Sequence, residues 1–525
     1  MASSVTLPKD EDRWHFVPTD GPSEHGRKGN KPATQEYATD ARRHVMRAIS
    51  HKKRKGQPIK RRQYRQYELE WADGTQATSG LALDDDSAST EVESAGLTVA
   101  AVQYLDLEQP IVLPAMAKSL GSGRLDPFLS HPFELPDRAR VLLDYMLDPR
   151  VLIMRSFRLA WYPFLHLRDP AVYYQALSNA AMGLGNLLKT PALFDAEASK
   201  YHASALESVN SRISDPKSVG CDGILAAVIG FALHSIHSHD RSTFDSWEAH
   251  IRGLQSIVRA RGGANTIKAV PLRKMLFMTD TSGSASRDIR PHFPVPSFLP
   301  SIDTLFQAFP PTGAVHQNLA AWRERHQRAG IAEIIEDVSV LMQWITAQAA
   351  SDPAFYFDSD TSGSWISPII HRCLQLAPLQ LAPRSAQAEH QAGAVMQEAL
   401  RHACILFLHH VRRKFGIVVG DQPFRAVKMK HALEDCLHDW TGMEPMLRWV
   451  VVVGGLEATT EEDQTFFAGV LATHAGLTPP DNDVLAALKR FIWFDDILKT
   501  RIMPLFTLAS TMSTASNSLS SHSRP

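Results

Sequence analysis

Cysteine is scarce in this sequence. Its 525 residues hold four, Cys221, Cys373, Cys404 and Cys436, and no two stand at a spacing that chelates a metal ion. That excludes a disulfide-stapled scaffold and a cysteine-built zinc site, and neither a metal nor any other cofactor is expected. Long apolar runs are missing too. The most apolar stretches, Ile224 to Leu233 and Trp449 to Leu456, fall well short of the ~20 residues a membrane-crossing helix requires. The first residues carry charge where a secretory leader would be apolar, so a reducing intracellular setting is expected. An excess of one charge sign is also lacking, because 55 Lys and Arg nearly cancel 56 Asp and Glu. The whole molecule is therefore no polycation, and any attraction to nucleic acid must be local. With 29 Gly and 32 Pro the chain is far from collagen-like or low-complexity composition.

Signatures of catalysis are equally sparse. No G-x-S-x-G elbow and no H-E-x-x-H helix occurs, and Gly183 to Thr190 lacks the G-x-x-x-x-G-K-[ST] spacing of a phosphate loop. His234, His237 and His239 lie beside Asp240, a set that raises a metal hypothesis. They end an apolar helical segment, however, and such imidazoles more often satisfy local hydrogen bonds. Neighbouring His409 and His410 point in different directions on a helix and cannot chelate together. The chain is expected not to be an enzyme.

What stands out is local charge. Residues 27 to 65 hold fourteen Lys or Arg against Glu36 and Asp40, a net +12 by count. Such a segment repels itself and stays solvated. A short helix is expected from Asp40 to Lys55, capped by Asp40 and closed by Gly56. Residues 72 to 96 are rich in Ser, Thr, Ala and acid, including Asp84-Asp85-Asp86, and read as a disordered acidic linker. Seven serines between Ser510 and Pro525 suggest an unstructured tail.

Between linker and tail the helical period dominates. Leu400, Ala403, Cys404, Phe407, Leu408 and Val411 form one continuous apolar face. Trp247, Ile251, Leu254 and Val258 repeat it before Arg261-Gly262-Gly263, a basic last turn followed by a glycine stop. Ala198 to Ile213 gives a third stripe, and Val484, Leu488, Phe491 and Ile492 a fourth. Leu97 to Tyr104 and Val450 to Val453 could be strands, and Asp280 to Pro311 reads as a Pro-, Gly- and Ser-rich loop. The expected fold is all-α, a multi-helix bundle or orthogonal helical array with a disordered basic N-terminal arm. The expected divisions are the arm at 1–71, the linker at 72–120, the helical domain at 121–500 and the Ser-rich tail at 501–525.

Several segments also have a familiar wording and order. Gly121-Ser-Gly-Arg-Leu-Asp-Pro-Phe128 precedes Leu142-Leu143-Asp144-Tyr145, and Tyr173 to Ala181 follows. Then come Trp247 to Leu254 with Arg261-Gly262-Gly263, and Leu447-Arg-Trp449 with Gly454-Gly455. Phe466-Phe467 and Leu488 to Trp493 close the series, while Phe16-Val17 and Ala41 to Arg47 open it. In this joint order the chain resembles the fungal-specific transcription factor domain of proteins that lack an N-terminal zinc binuclear cluster. The resemblance implies an all-helical regulatory domain of a nuclear, gene-regulatory protein. It does not carry over DNA reading, since the zinc cluster needs six thiolates and no cysteine precedes Cys221.

The candidate site residues are thus those of the basic arm: Arg42, Arg43, Arg47, Lys52, Lys53, Arg54, Lys55, Lys60, Arg61 and Arg62. Lys52 to Lys55 and Lys60 to Arg62 are the residue types that an import receptor's acidic grooves hold. The same side chains neutralise DNA phosphates. Tyr64, Tyr67 and Trp71 could stack on single-stranded bases, but flanking aromatics more often anchor an arm to its own core. The expected partners are an import receptor, DNA through the arm, and regulatory proteins or a small-molecule effector through the helical domain, with no membrane. A nuclear transcriptional regulator, one controlling a metabolic gene cluster among the options, is the leading reading. A co-regulator that never touches DNA is the alternative, and an α-helical enzyme comes third.

Overall fold

A computed structural model of the protein describes residues 136–147, 169–188, 190–215, 220–237, 244–326, 329–352, 354–376, 388–417, 422–473, 486 and 488–521. The expected arm, its short helix, the acidic linker and the candidate strand at Leu97 to Tyr104 lie outside these residues. Among the described residues the regular structure is helical, without a strand. In chain order the helices are α1 (Asp137–Leu147), α2 (Pro170–Leu187), α3 (Pro191–Asn210), α4 (Asp222–His237), α5 (Phe244–Ala260), α6 (Val270–Arg287), α7 (Gly313–His326) and α8 (Ala329–Ser351). They continue as α9 (Ser367–Gln375), α10 (Ala388–Lys414), α11 (Pro423–Cys436), α12 (Glu444–Glu457), α13 (Glu461–Thr473), α14 (Asp495–Arg501) and α15 (Met503–Ser521). The all-α expectation holds.

Local chemistry sets the helix ends. Asp169 caps α2, its side chain accepting from the Ala171 N–H at 3.0 Å, and Pro170 fills the first turn where an N–H has no helical partner. The same carboxylate accepts both terminal nitrogens of Arg212 at 2.8 and 2.9 Å, tying the end of α3 to the start of α2. After α5, Gly262 (φ +89) and Gly263 (φ +107) turn left-handed, and the Gly263 N–H donates to the Val258 carbonyl at 2.8 Å. Arg261 pairs with Asp222 in the first turn of α4. The Arg261-Gly262-Gly263 signature is thus a helix stop with a clamp.

The apolar side chains gather into two cores. One takes α1 to α5 with Leu272, Met275 and Leu276 of α6; the other takes α7 to α15 with Ala285 of α6. Helix α6 packs on α4 on one side and on α9 on the other, so one helix serves both cores. Near its end, the indole of fully buried Trp247 lies against Gly283 and beneath the Arg287 guanidinium, 4.2 Å from the ring centroid.

Four expectations are corrected. The stretch from Asp280 is not yet loop, because α6 runs to Arg287. Thr, Ser and Gly are weak helix formers, but here small residues let α6 approach its neighbours, and packing overrides propensity. Val450 to Val453 are helical within α12. All four are 0–1 % exposed, since α7, α10, α11, α13 and α15 surround this helix, and a strand preference cannot prevail there. The fourth stripe is broken, because Phe491 and Ile492 are buried in a non-helical link before α14. The Ser-rich tail carries α15, which packs on α13 and α12 and buries Leu505 and Ala509, while the Ser510 hydroxyl donates to the Phe506 carbonyl at 2.8 Å.

Gly283 makes a sharp test. A Cβ there would lie 2.1 Å from the Trp247 indole. Gly→Ala in a helix interior normally stabilises by about 1 kcal/mol, but Gly283→Ala should destabilise by about 2–3 kcal/mol through overpacking. Denaturant titration reads the sign, and a raised midpoint would contradict the seating of the indole.

Candidate functional site

The polar chemistry of the domain collects where α6 ends. Asp288 closes α6 in the left-handed region (φ 56, ψ 44), the one non-glycine residue with positive φ among those described. Asp tolerates this conformation better than most residues. Its carboxylate is 3 % exposed and accepts from both terminal nitrogens of Arg401 on α10, at 2.7 and 3.0 Å. Arg425 of α11 adds a bond at 3.1 Å and Lys428 one at 2.5 Å. Arg401 also reaches Glu398 at 2.6 and 2.9 Å, and Arg425 donates to the Ala285 carbonyl at the end of α6. One carboxylate therefore fastens α6 to α10 and α11.

Electrostatics follow from burial and neighbours. Burial alone would raise the Asp288 pKa, but the Arg401 hydrogen bonds and the Arg425 charge outweigh it and hold the carboxyl well below its ordinary range. Glu398 is likewise brought down to about 2 against burial, by His402 and Arg401. His402, fully buried, is pushed down to about 4, with burial as the largest cause, and stays neutral at pH 7. Arg425 donates to its Nδ1 at 2.8 Å, so the proton sits on Nε2 and is donated to Glu398 at 3.0 Å.

Asp288, Glu398 and His402 lie close enough to hold a metal ion in principle. Arg401 already forks across both carboxylates, however, and His402 turns a proton rather than a lone pair toward Glu398. This arrangement uses guanidinium, not metal, as the counter-charge.

Two further polar groups were hidden from sequence periodicity. At the end of α10, His410 Nε2 meets Glu457 at 2.9 Å, Arg413 reaches the same carboxylate at 3.4 Å, and Arg501 contacts His410 Nδ1 at 2.7 Å. In the first core, His202 stacks on His234 (centroids 4.3 Å apart) near His250. His202 Nδ1 bonds Gln175 at 2.9 Å, and His234 Nδ1 meets Ser178 at 3.2 Å. His234 is thus engaged by Ser178 of α2, 56 residues away, a distant partner rather than a local one, whereas the side chain of His237 and the whole of His239 fall outside the description.

A shallow groove of about 340 Å³ opens between Val270, Phe298, Pro300 and Trp365, with Lys274 and Asp360 at its polar side. Lys274 pairs with Asp360 and bonds Ser364 at 2.6 Å. A π-helical stretch, Ser362–Ile366, forms this edge, and Gly363 leaves room for Met278, whose sulfur would lie 2.6 Å from an added Cβ.

None of Arg42, Arg43, Arg47, Lys52, Lys53, Arg54, Lys55, Lys60, Arg61 and Arg62 is among the described residues, so the structure brings none of them to these sites. The described domain is a double-cored helical array joined by a charged seam. Residues 153–479, more than half of the chain, match the family model described as the fungal specific transcription factor domain, and the chain belongs to that family. No curated protein and no solved structure matches it significantly. Membership associates the helical domain with transcription regulation.

Two outcomes follow from the seam. Arg401→Met should cost about 3–5 kcal/mol in urea unfolding, because it leaves two buried carboxylates undercompensated; a loss below ~1 kcal/mol would contradict the network. The pKa values of His202, His250, His371, His402, His409 and His410 all lie below the ordinary imidazole value, with burial as the first cause. The unfolded chain binds protons that the fold refuses, so their stability is present above about pH 6.5 and is lost on acidification. Each contributes on the order of 1 kcal/mol per pH unit. Asp337, pushed up to about 6 by burial, acts in the opposite sense for one proton only. Melting temperature should fall steeply from pH 6.5 to 4.5; a flat profile would contradict neutral burial.

Proposed function

We propose that this protein is a nuclear transcriptional regulator in which a basic arm provides import and DNA phosphate contact, and the helical domain receives partner proteins or a small effector. Family membership supports the regulatory part. The net +12 of residues 27 to 65 supports the arm's role, since clustered Lys and Arg release counterions from DNA and suit the acidic grooves of import receptors. Arg42, Arg43, Arg47, Lys52, Lys53, Arg54, Lys55, Arg61 and Arg62 would act mostly through phosphate, with Lys60 in the import cluster. Affinity would then fall steeply with salt. The absence of catalytic motifs and the commitment of the buried carboxylates to arginines favour binding over catalysis.

One observation favours a second reading. No cysteine precedes Cys221, so residues 1–220 offer no thiolates for a zinc cluster that reads bases. A co-regulator that joins DNA-bound proteins, those of a metabolic gene cluster included, would need none. Replacing the ten arm residues by Gln in a fluorescent fusion should abolish nuclear accumulation, and the purified variant should lose DNA retention in gel shifts at ~50 mM salt. Unchanged localisation and retention would remove the arm from the account. Weak, sequence-independent binding of the wild type at physiological salt would select the co-regulator.

A further inference from the structure

Arg412, in the last turn of α10, is 2 % exposed, and it donates from Nη2 to the Ser282 hydroxyl of α6 at 3.1 Å. Its Nε and Nη1 are sealed from solvent without an acceptor. One turn earlier on the same helix, His409 is 3 % exposed and its Nε2 likewise has no partner. The charged and titratable groups that bear on His409 are Arg412, Arg425, Arg413 and His410, and burial together with these positive neighbours keeps the imidazole neutral. The carboxylates along this seam are engaged elsewhere. Asp288 serves Arg401, Arg425 and Lys428, Glu398 serves Arg401 and His402, and Glu457 serves His410 and Arg413.

A guanidinium stays charged at neutral pH even when buried, and a buried cation is stable only when paired and hydrogen-bonded. Among the described residues Arg412 has one hydroxyl and no carboxylate. Buried donors without acceptors, several positively charged neighbours and no protein anion among the described residues together specify what fits. We propose that Arg412 and His409, with Ser282 alongside, form an enclosed site at the α6–α10 junction for a small inorganic anion. The anion accepts from an unpartnered N–H of the Arg412 guanidinium and from the His409 Nε2–H, and its charge neutralises the buried guanidinium. Because Ser282 lies on α6 and Arg412 and His409 on α10, occupancy tightens the same contact that Asp288 makes six residues further on. The site does not depend on the role of the arm.

The test uses the full chain in gluconate buffer at constant ionic strength, with gluconate too large to be enclosed. Chloride, bromide and phosphate are titrated in separate arms while thermal unfolding is followed. A saturable rise of about 5 °C with at least one of them, absent in Arg412→Met and reduced in His409→Phe, is the expected result. The responding ion tells halide from oxyanion. A flat titration, or the same rise in Arg412→Met, overturns the site. Should Arg412→Met not fold, bromide-soaked crystals of the wild type decide: anomalous density within hydrogen-bond distance of the Arg412 guanidinium supports the site, and its absence overturns it.

Discussion

The domain depends on one buried carboxylate. Asp288 sits at the left-handed end of α6, the helix that contributes apolar residues to both cores, and its oxygens collect Arg401, Arg425 and Lys428. Hydrophobic burial is non-directional and would allow two cores to pack in many relative ways. A short bidentate ion pair has a fixed geometry and does not. Asp280 adds to this from the same helix, accepting from the backbone N–H groups of His292 and Phe293 at 2.6 and 2.8 Å and so folding the following segment back. The seam is also where burial is most expensive: its arginine and histidine partners hold the carboxylates low against that cost, while burial itself keeps the imidazoles neutral.

The apolar half of this architecture could be read from residue spacing. Leu400, Ala403, Cys404, Phe407, Leu408 and Val411 are all buried on α10, and Trp247, Ile251, Leu254 and Val258 on α5, because a 3.6-residue period follows directly from which side meets the core. What could not be read is that α10 buries its other side as well. Arg401, His402, His409, His410 and Arg412 look like a solvated face in sequence, yet each is 3 % exposed or less. Periodicity marks where apolar residues lie. Their polar neighbours' fate depends on partners more than a hundred residues away in some cases, such as Asp288 for Arg401. The same limit explains the misread end of α6, where Gly283 looks like a loop residue and is instead the clearance for Trp247. The candidate site in the arm came from charge counting alone, which is legible without a fold.

In this member of the fungal specific transcription factor domain family, the two cores meet at a charged seam. A regulatory domain must hold a defined shape and yet be able to respond, and two cores meeting through charged groups offer a joint whose strength depends on ions and protons rather than on apolar area.

Asp288, on this reading, makes the two cores one cooperative unit. Differential scanning calorimetry of Asp288→Asn beside the wild type tests it most directly, since Asn keeps the left-handed turn and removes the charge. The wild type should show a single transition, with calorimetric and van't Hoff enthalpies in agreement over the helical domain, and the variant two separated transitions. A variant that still melts in one transition at the wild-type temperature would contradict it.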